Sequence, residues 1–547
     1  MDTLLTFSAG ALLLHRAWCT PTSLPNISTA DPISTTVTVS APGKVLITGG
    51  YQVLEKPRKG IVIAGDARFH TTAQWRQRAN PQTTRLPGHV CYVIVRSTQF
   101  ARVDCYEITA SFHTNSLCHV ESIPFRDLSG TGGVCHPPPH NPYVHTTLVY
   151  CITALLADMH FAKEHLLDFQ RRSNDGYLEI VLNADNCFYS QQNAFANLGL
   201  FPSSKSYEML EPFARPTTIS KTGLGSSATL VASLVGALMS SIGQYPLPQR
   251  CDLKQDALSS ATAIVADTTA ASAAASAAAS AAASASAAAA ASATVRTAHV
   301  LSQICHVVAQ GKVGSGFDVC AAVFGSVCYE RYTPSLLGTF LNTTDDVDSV
   351  PTVRHLLNVL DDKKWDHNAS PFGLPVGMEM ILGDIAQGSS TPSMVRKVKA
   401  WRKQTESQHI WDALNHTNEK ILEVLDLIRS SSTSSCDSND DEVRRLFVQA
   451  RRMLKEMGNA AGVDIEPDEQ TELCTATMQL QNVLACGVPG AGGNDAVFAI
   501  YRGGEETRQN IEVFWSKWRK EKGVQLCAMP LRGTPHGEPG LRIETLR

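Results

Sequence analysis

Lys221-Thr222-Gly223-Leu224-Gly225-Ser226-Ser227-Ala228 is a glycine turn that empties into a helix. Two glycines two apart remove side chains where the backbone must approach something closely. After them, Leu230, Val231, Leu234, Val235 and Leu238 recur at helical spacing. Ser226 or Ser227 is therefore placed to cap that helix. Such a turn gathers unpaired N–H groups at the positive end of a helix dipole, a setting for an anion and most often a phosphate. Both hydroxyls can reach a metal riding on that phosphate, and Lys221 adds a positive charge at the entrance. A plain glycine turn ahead of a core helix is the structural alternative. A dinucleotide turn is another, because Gly223, Gly225 and Ala228 fit G-x-G-x-x-A. That fold needs a buried strand before the turn and an acid about 20 residues after it. Here the lead-in from Arg215 to Ser220 is polar, and the next acid is Asp252. The P-loop pattern G-x-x-x-x-G-K-[ST] does not occur.

Upstream, Val37 and Val39 alternate with Thr38 and Ser40, which predicts a strand. Pro42-Gly43 then reads as a turn that puts Lys44 at the start of a second apolar strand over 45–47. A lysine set between two buried strands differs from a solvated surface charge, its plain alternative. Downstream, a helix predicted from about 297 to 309 runs into Gln310-Gly-Lys-Val-Gly-Ser-Gly-Phe-Asp318. One acid entering an apolar segment is costly unless something pairs with it. A lysine or a metal would serve, and a helix-capping aspartate is the alternative.

Further out, the pattern predicts strands near 61–64, 90–95, 178–182, 376–382 and 497–501. It predicts helices near 148–160, 414–428 and 443–457. Thr391-Pro392 opens another helix, with Arg396, Lys397 and Lys399 adding positive charge. Gly487-Val-Pro-Gly-Ala-Gly-Gly-Asn-Asp-Ala496 is a loop able to bring backbone against a ligand or to make a tight hairpin. The Ala/Ser tract over 268–294 favours helix but has no large apolar stripe. A solvent helix and disorder both stay open there, and the tract carries no catalytic group. Asp185 to Ser190 is a polar-aromatic turn with no assignment from physics.

The 547 residues suffice for two or more domains; 43% are hydrophobic and 18% charged, which gives a soluble protein with a sizeable core. A net charge of −4 argues against dedicated nucleic-acid or anionic-membrane binding, so any useful positive charge is local. Fifteen scattered cysteines, an odd count with no Cys-x-x-Cys pair, fit reduced thiols in the cytoplasm. Cys118-His119, Cys135-His136, His140 and His145 match no zinc spacing. The apolar run from Ala9 to Leu14 is too short to span a bilayer, and the first residues lack a signal peptide's basic region. A poorly ordered leader is expected over 1–35. The last residues carry no standard retention or peroxisomal tripeptide.

Taken together, the motifs resemble the GHMP small-molecule kinases, named for galactokinase, homoserine kinase, mevalonate kinase and phosphomevalonate kinase. Pro42-Gly43-Lys44, Gly223 to Ala228, and Gly487 to Asp495 correspond to that family's three ordered motifs. Within the family the chain is most similar to the eukaryotic phosphomevalonate kinase subgroup. Ser40 to Glu55, Lys221-Thr222, Gly311 to Asp318, Ser389 to Val395 and Gly487 to Gly493 carry that likeness, and Asp185 to Ser190 shares it. The Ala/Ser tract and Asn494 depart from the pattern.

The resemblance implies an α+β, two-domain GHMP-kinase-like fold. A mixed α/β N-terminal domain would span 36–335, with an insertion over 268–294. A linker would span 336–375, and a ferredoxin-like α/β C-terminal domain 376–547, with the active site between the domains. It implies phosphoryl transfer from ATP, with Mg2+, to 5-phosphomevalonate in the mevalonate pathway to isoprenoids and sterols. Lys44 and Asp318 would be catalytic. Gly223, Leu224, Gly225, Ser226, Ser227 and Ala228 would hold the ATP phosphates, with Ser227 on the metal. Lys221, Ser389, Ser390, Thr391, Arg396, Lys397, Gly492 and Gly493 would hold the acceptor. No nucleic-acid or membrane partner is implied, and the protein would be a monomer or homodimer. Another GHMP kinase, acting on mevalonate or a sugar, and a catalytically inactive relative are the competing readings.

Overall fold

The structure, a computed structural model, describes residues 36–545 except 78–88, 111–115, 124–139, 160–162, 218, 251–269, 342–351, 362–363, 387, 389–390 and 431–436. The expected leader lies outside the described residues.

Strand β1 (Thr36–Leu46) does not stop at Pro42-Gly43; it runs through them as one strand. Its register against β2 (Lys59–Gln77) slips between Pro42 and Lys44, so a bulge replaces the predicted turn. Proline donates nothing to the ladder and glycine bends freely, so the irregularity settles on that pair. Two sheets form. One contains β1, β2, β3 (His89–Ser97), β4 (Arg102–Ala110), β5 (His119–Ile123), β6 (Gly176–Ala184), β7 (Val327–Glu330) and β8 (Asn368–Pro371). The other contains β9 (Glu379–Asp384), β10 (Val483–Gly487), β11 (Ala496–Tyr501) and β12 (Cys527–Ala528). The last strand, β13 (Arg542–Glu544), returns to pair with β1. Long β2 serves two neighbours on its far edge: β7 along Lys59 to Val62, and β6 along Phe69 to Gln77. All these pairings are antiparallel except β3 with β6.

Helix α1 (Pro142–Met159), α2 (Ser226–Ile242), α3 (Ala270–Gln310) and α4 (Phe317–Phe324) cover the larger sheet, with α2 central. The periodic run read from the sequence is its buried face: Val231, Leu234, Val235 and Leu238 have no exposure. Gly236 lets α2 approach β1, since a Cβ there would stand 2.9 Å from Val39 Cγ1. The Ala/Ser tract and the helix predicted after it are one element, the 41-residue α3. Its C-terminal part docks through Thr294, Ala298, Leu301, Ile304 and Cys305, all buried.

Strand β11 is buried at every position. Val497, Ala499 and Tyr501 share a core with Leu473, Ile511 and Trp515, while Ala496, Phe498 and Ile500 join the core that holds Phe447. Such two-sided burial explains its unbroken apolar run. Helices α5 (Thr391–Arg402), α6 (Ser407–Ser430), α7 (Asp437–Ala461), α8 (Asp468–Thr477) and α9 (Gly504–Lys522) surround this smaller sheet.

Two stretches cross the division expected from sequence. The polar connection over 336–375 contains β8, which extends the larger sheet, and β13 carries the far end of the chain back to that sheet. Among the described residues every cysteine is a buried free thiol, and no helix is long and apolar enough to cross a membrane.

Candidate active site

The slip at Pro42–Lys44 re-aims Lys44 toward the glycine turn, as bulges do. The Lys44 backbone N–H donates to the Leu224 carbonyl at 3.0 Å, and its ammonium donates to the Gly223 carbonyl at 2.7 Å. Strand and turn are thus tied at two points. Gly223 and Gly225 both have φ of 80°, a conformation that side chains rarely adopt. A Cβ at Gly225 would stand 3.1 Å from Lys44 Cε and 3.6 Å from Asp318 Cβ. Lys44 and Asp318, far apart in sequence, therefore flank one glycine at the start of α2. No serine caps that helix: Gly225 is the N-cap, and its carbonyl accepts from the Ala228 and Thr229 N–H groups. The expected serine cap is corrected because a left-handed glycine closes the turn with backbone alone. Ser226 and Ser227 remain available for other contacts.

Asp318 sits in the first turn of α4, after Gly316 with φ of 82°. A carboxylate there is favoured by the helix dipole, and its Oδ1 also accepts the Val319 N–H at 3.0 Å. The Lys44 ammonium lies 5.2 Å from the centre of the Phe317 ring, a cation–π contact. Burial lowers the Lys44 pKa, while Asp318 and Asp495 work to raise it.

These groups open on a cleft of about 1120 Å³. Its far wall is α5, through Thr391, Pro392, Val395, Arg396 and Lys399, with Lys403 just after the helix, and the late glycine loop, through Pro489 to Gly492. Among the described residues, Lys44, Lys221, Lys312, Arg396, Lys399 and Lys403 face two lining carboxylates, Asp318 and Asp495. That is a strong local excess in a chain of net charge −4. Burial first, then Arg331 and Lys312, lower the Lys399 pKa, with Glu55 opposing.

The late loop is fastened to the end of β1 and the turn after it: the Gly490 N–H donates to the Leu46 carbonyl at 3.0 Å, and the Tyr51 hydroxyl to the Ala491 carbonyl at 2.6 Å. The two sheets also meet at buried Asp384, at the end of β9. Its Oδ2 accepts from the Ser190 hydroxyl at 2.6 Å and the Gln192 amide at 3.1 Å. The unassigned Asp185–Ser190 turn thus supplies part of a joint between the sheets. Burial pushes the Asp384 carboxyl upward, against the pull of those donors.

A second cavity, of about 1320 Å³, adjoins the first and shares Ile219, Lys221, Ser226 and Ser227 with it. Phe100, Val103, Tyr143 and Tyr189 give it a largely apolar lining.

Of the residues anticipated from sequence, Lys44, Asp318, Lys221, Thr391, Arg396, Gly492 and Gly223 to Ser227 line one cleft. Ala228 is buried in α2. Lys397 points elsewhere, donating to the Gly462 carbonyl at 3.0 Å, and the Gly493 N–H donates to the Ile465 carbonyl at 2.8 Å. Ser389 and Ser390 lie outside the described residues. His306, Lys312, Lys403 and Asp495 also line the cleft without a local signal that marks them, and Lys399, expected to add positive charge, lies there too. Counting in fours from Thr391 through Val395 finds Lys399 and Lys403 on the cleft face.

Among the described residues no cluster of three or more His, Cys, Asp or Glu could cage a metal. Magnesium needs no cage: it binds through one or two protein oxygens plus phosphates and water. The Ser227 hydroxyl and Asp318 carboxylate, both on the cleft, fit that requirement.

No protein-family model matches the chain. The phosphomevalonate kinase of Aspergillus fumigatus is 31% identical over 94% of this chain and 98% of its own length. The peroxisomal phosphomevalonate kinase of Arabidopsis thaliana is 30% identical over 92% of this chain and 95% of its own. Among solved structures, a Listeria innocua protein matches with TM-score 0.53 at 16% identity, covering 93% of this chain and 99% of that one. Streptococcus pneumoniae phosphomevalonate kinase, in complex with phosphomevalonate and AMPPNP, matches with TM-score 0.50 at 14% identity. It covers 90% of this chain and 98% of its own.

Proposed function

The chain belongs to the phosphomevalonate kinase family, and from that premise we propose that its cleft phosphorylates (R)-5-phosphomevalonate with ATP. The products are 5-diphosphomevalonate and ADP. One observation carries the assignment of residues: Lys44 and Asp318 flank Gly225 at the mouth of α2, inside a cleft rich in cations.

The backbone N–H groups of Gly223 to Ser227 hold the ATP phosphates at the helix start. The nucleoside occupies the adjoining apolar cavity, which shares Ser226 and Ser227 with the cleft. Magnesium, when bound with the nucleotide by Ser227 and Asp318, neutralises phosphate charge. In the transfer, the bond from the γ-phosphorus to the ADP oxygen breaks, and a bond to an oxygen of the acceptor phosphate forms. Lys44 stabilises charge on the moving group, because positioning and electrostatics dominate phosphoryl transfer. The acceptor is a phosphate monoester with a second pKa of about 6, so it arrives largely deprotonated at neutral pH. Asp318 therefore acts first by orienting Lys44 and the metal, and second as a base. Lys221, Arg396 and Lys399 receive the acceptor phosphate, with Thr391 at the start of α5.

We read the two sheets as two domains with the cleft between them. The order β10-β11-β9-β12, with helices after β9 and β11, supports a ferredoxin-like second domain. Buried free thiols support a reducing compartment, the cytoplasm in this reading. ADP release measured with mevalonate, phosphomevalonate, diphosphomevalonate, homoserine and galactose in turn tests the function. Phosphomevalonate should give the highest kcat/KM, and preference for mevalonate or a sugar would overturn the substrate assignment.

A further inference from the structure

Ser227 and His306 meet where the two cavities adjoin. Ser227 Oγ lies 3.1 Å from His306 Nε2. Ser227 lines both cavities, and His306 lines the cleft. His306 is 4% exposed and held on its other sides. Its ring stacks on Tyr143 with centroids 5.7 Å apart and planes 30° from parallel. The Gln310 amide nitrogen stands along the same ring edge, 2.5 Å from its Nδ1 and 2.8 Å from the Nε2 that faces Ser227. Tyr143 itself lines the second cavity. The imidazole is thus clamped between a ring of one cavity and a hydroxyl shared by both. One ring-nitrogen contact occupies one hydrogen-bonding position of a hydroxyl and leaves the others free.

We propose that His306 is a positioning residue for the nucleotide: it fixes the Ser227 oxygen at the neck between the cavities, so that its remaining bonding capacity faces the phosphates of metal-bound ATP. The inference rests on the phosphoryl-transfer reading above and adds to it. A histidine that merely fills the core would leave Ser227 unaffected, and the two roles separate experimentally.

Nucleotide affinity is measured by calorimetry without acceptor, once with magnesium and once with a chelator. His306→Asn keeps a polar group toward Gln310 but cannot reach Ser227. It should weaken magnesium-ATP binding about tenfold, the scale of one lost hydrogen bond to the ligand's partner. His306→Gln, whose amide reaches the Nε2 position, should restore most of that loss. Ser227→Ala should weaken binding similarly, and the double variant Ser227→Ala/His306→Asn should bind no worse than Ser227→Ala. The nucleotide KM should rise in His306→Asn while the acceptor KM stays put. Wild-type affinity in a folded His306→Asn protein overturns the proposal, as do losses that multiply in the double variant. Should His306→Asn fail to fold, His306→Gln against Ser227→Ala decides: near-wild-type affinity in the first with loss in the second supports it, equal losses overturn it. Because acceptor is absent, a chain that binds magnesium-ATP but ignores phosphomevalonate would refute the proposed function and leave this inference standing.

Discussion

The wall of the cleft that carries Lys44, Gly225 and Asp318 is tied by backbone bonds, whereas the opposite wall presents Arg396 and Lys399 on an exposed face of α5 and Lys403 just after it. The first wall holds few charges in fixed places; the second holds several on long, exposed side chains. Fixed groups in a site shielded from water act most strongly on charge that develops during reaction. Mobile surface cations attract an anion before reaction and are screened by salt. The same fold thus separates turnover from capture, and each wall should answer to a different kinetic constant.

The sharpest way to break that contrast is to truncate the backbone-tied wall. Lys44→Ala and Asp318→Ala should each lower kcat by at least ~10²-fold, the scale of losing one preorganised transition-state contact. Circular dichroism and a melting curve should show both proteins folded. Near-normal turnover in either would mean the backbone-tied wall does not do chemistry.

Next in size is the exposed wall. Arg396→Ala combined with Lys399→Ala should raise the KM for phosphomevalonate by about tenfold, as expected for two partly screened charge contacts. Its kcat should change far less. The wild-type KM should also climb with ionic strength more steeply than that of the double variant. A loss confined to kcat would show that α5 shapes the transition state and that the two walls are alike.

A smaller effect tests how the walls communicate. Lys44 must be charged to act, and burial lowers its pKa from the ordinary 10.5. Its ammonium is therefore lost at a lower pH than that of a surface lysine. The basic limb of kcat/KM, which reports the free enzyme, should fall below the ordinary lysine range. Asp495, on the loop that ends beside β9, works to raise that pKa. Asp495→Asn should move the limb to still lower pH, while Asp440→Asn, whose carboxylate pairs with Arg502, should not move it. An unmoved limb in Asp495→Asn would confine control of Lys44 to its own wall.

Legibility in the sequence differed between the walls for a physical reason. The backbone-tied wall is written locally: a helix-feeding Gly-x-Gly turn and a lone acid after three glycines each carry their chemistry in a few adjacent residues. Even there, Pro42-Gly43 read as a turn and proved a bulge, because one strand can absorb two weak ladder residues without reversing. The exposed wall depends on which helix face points inward, which tertiary packing sets. Lys397 and Lys399 are equivalent in sequence, yet one donates to Gly462 and the other lines the cleft. His306 was invisible because it sits in an apolar helical run, and only folding brings Ser227 to it. Likewise the return of β13 to β1 leaves no local trace beyond a short alternating Arg-Ile-Glu.

The least effect is expected where sequence was least informative about position. The 41-residue α3 has two unlike parts. From Thr294 onward it presents buried side chains to α1 and α2 and carries His306 to the cleft. Before that it is nearly all alanine and serine, and Ser286 to Ala289 are exposed. Alanine holds a helix by propensity alone, a weak support without packing. At 1.5 Å per residue the whole element is about 60 Å long, so its N-terminal part adds length without adding a wall to the cleft. Removing residues 269–293 should therefore leave kcat and both KM values within about twofold, since nothing that touches the reacting groups is lost. Helical circular dichroism should fall by the share of residues removed. A folded deletion variant with no activity would show instead that the docked half needs the alanine half to hold His306 against Ser227, and the two parts of α3 would have to be treated as one device.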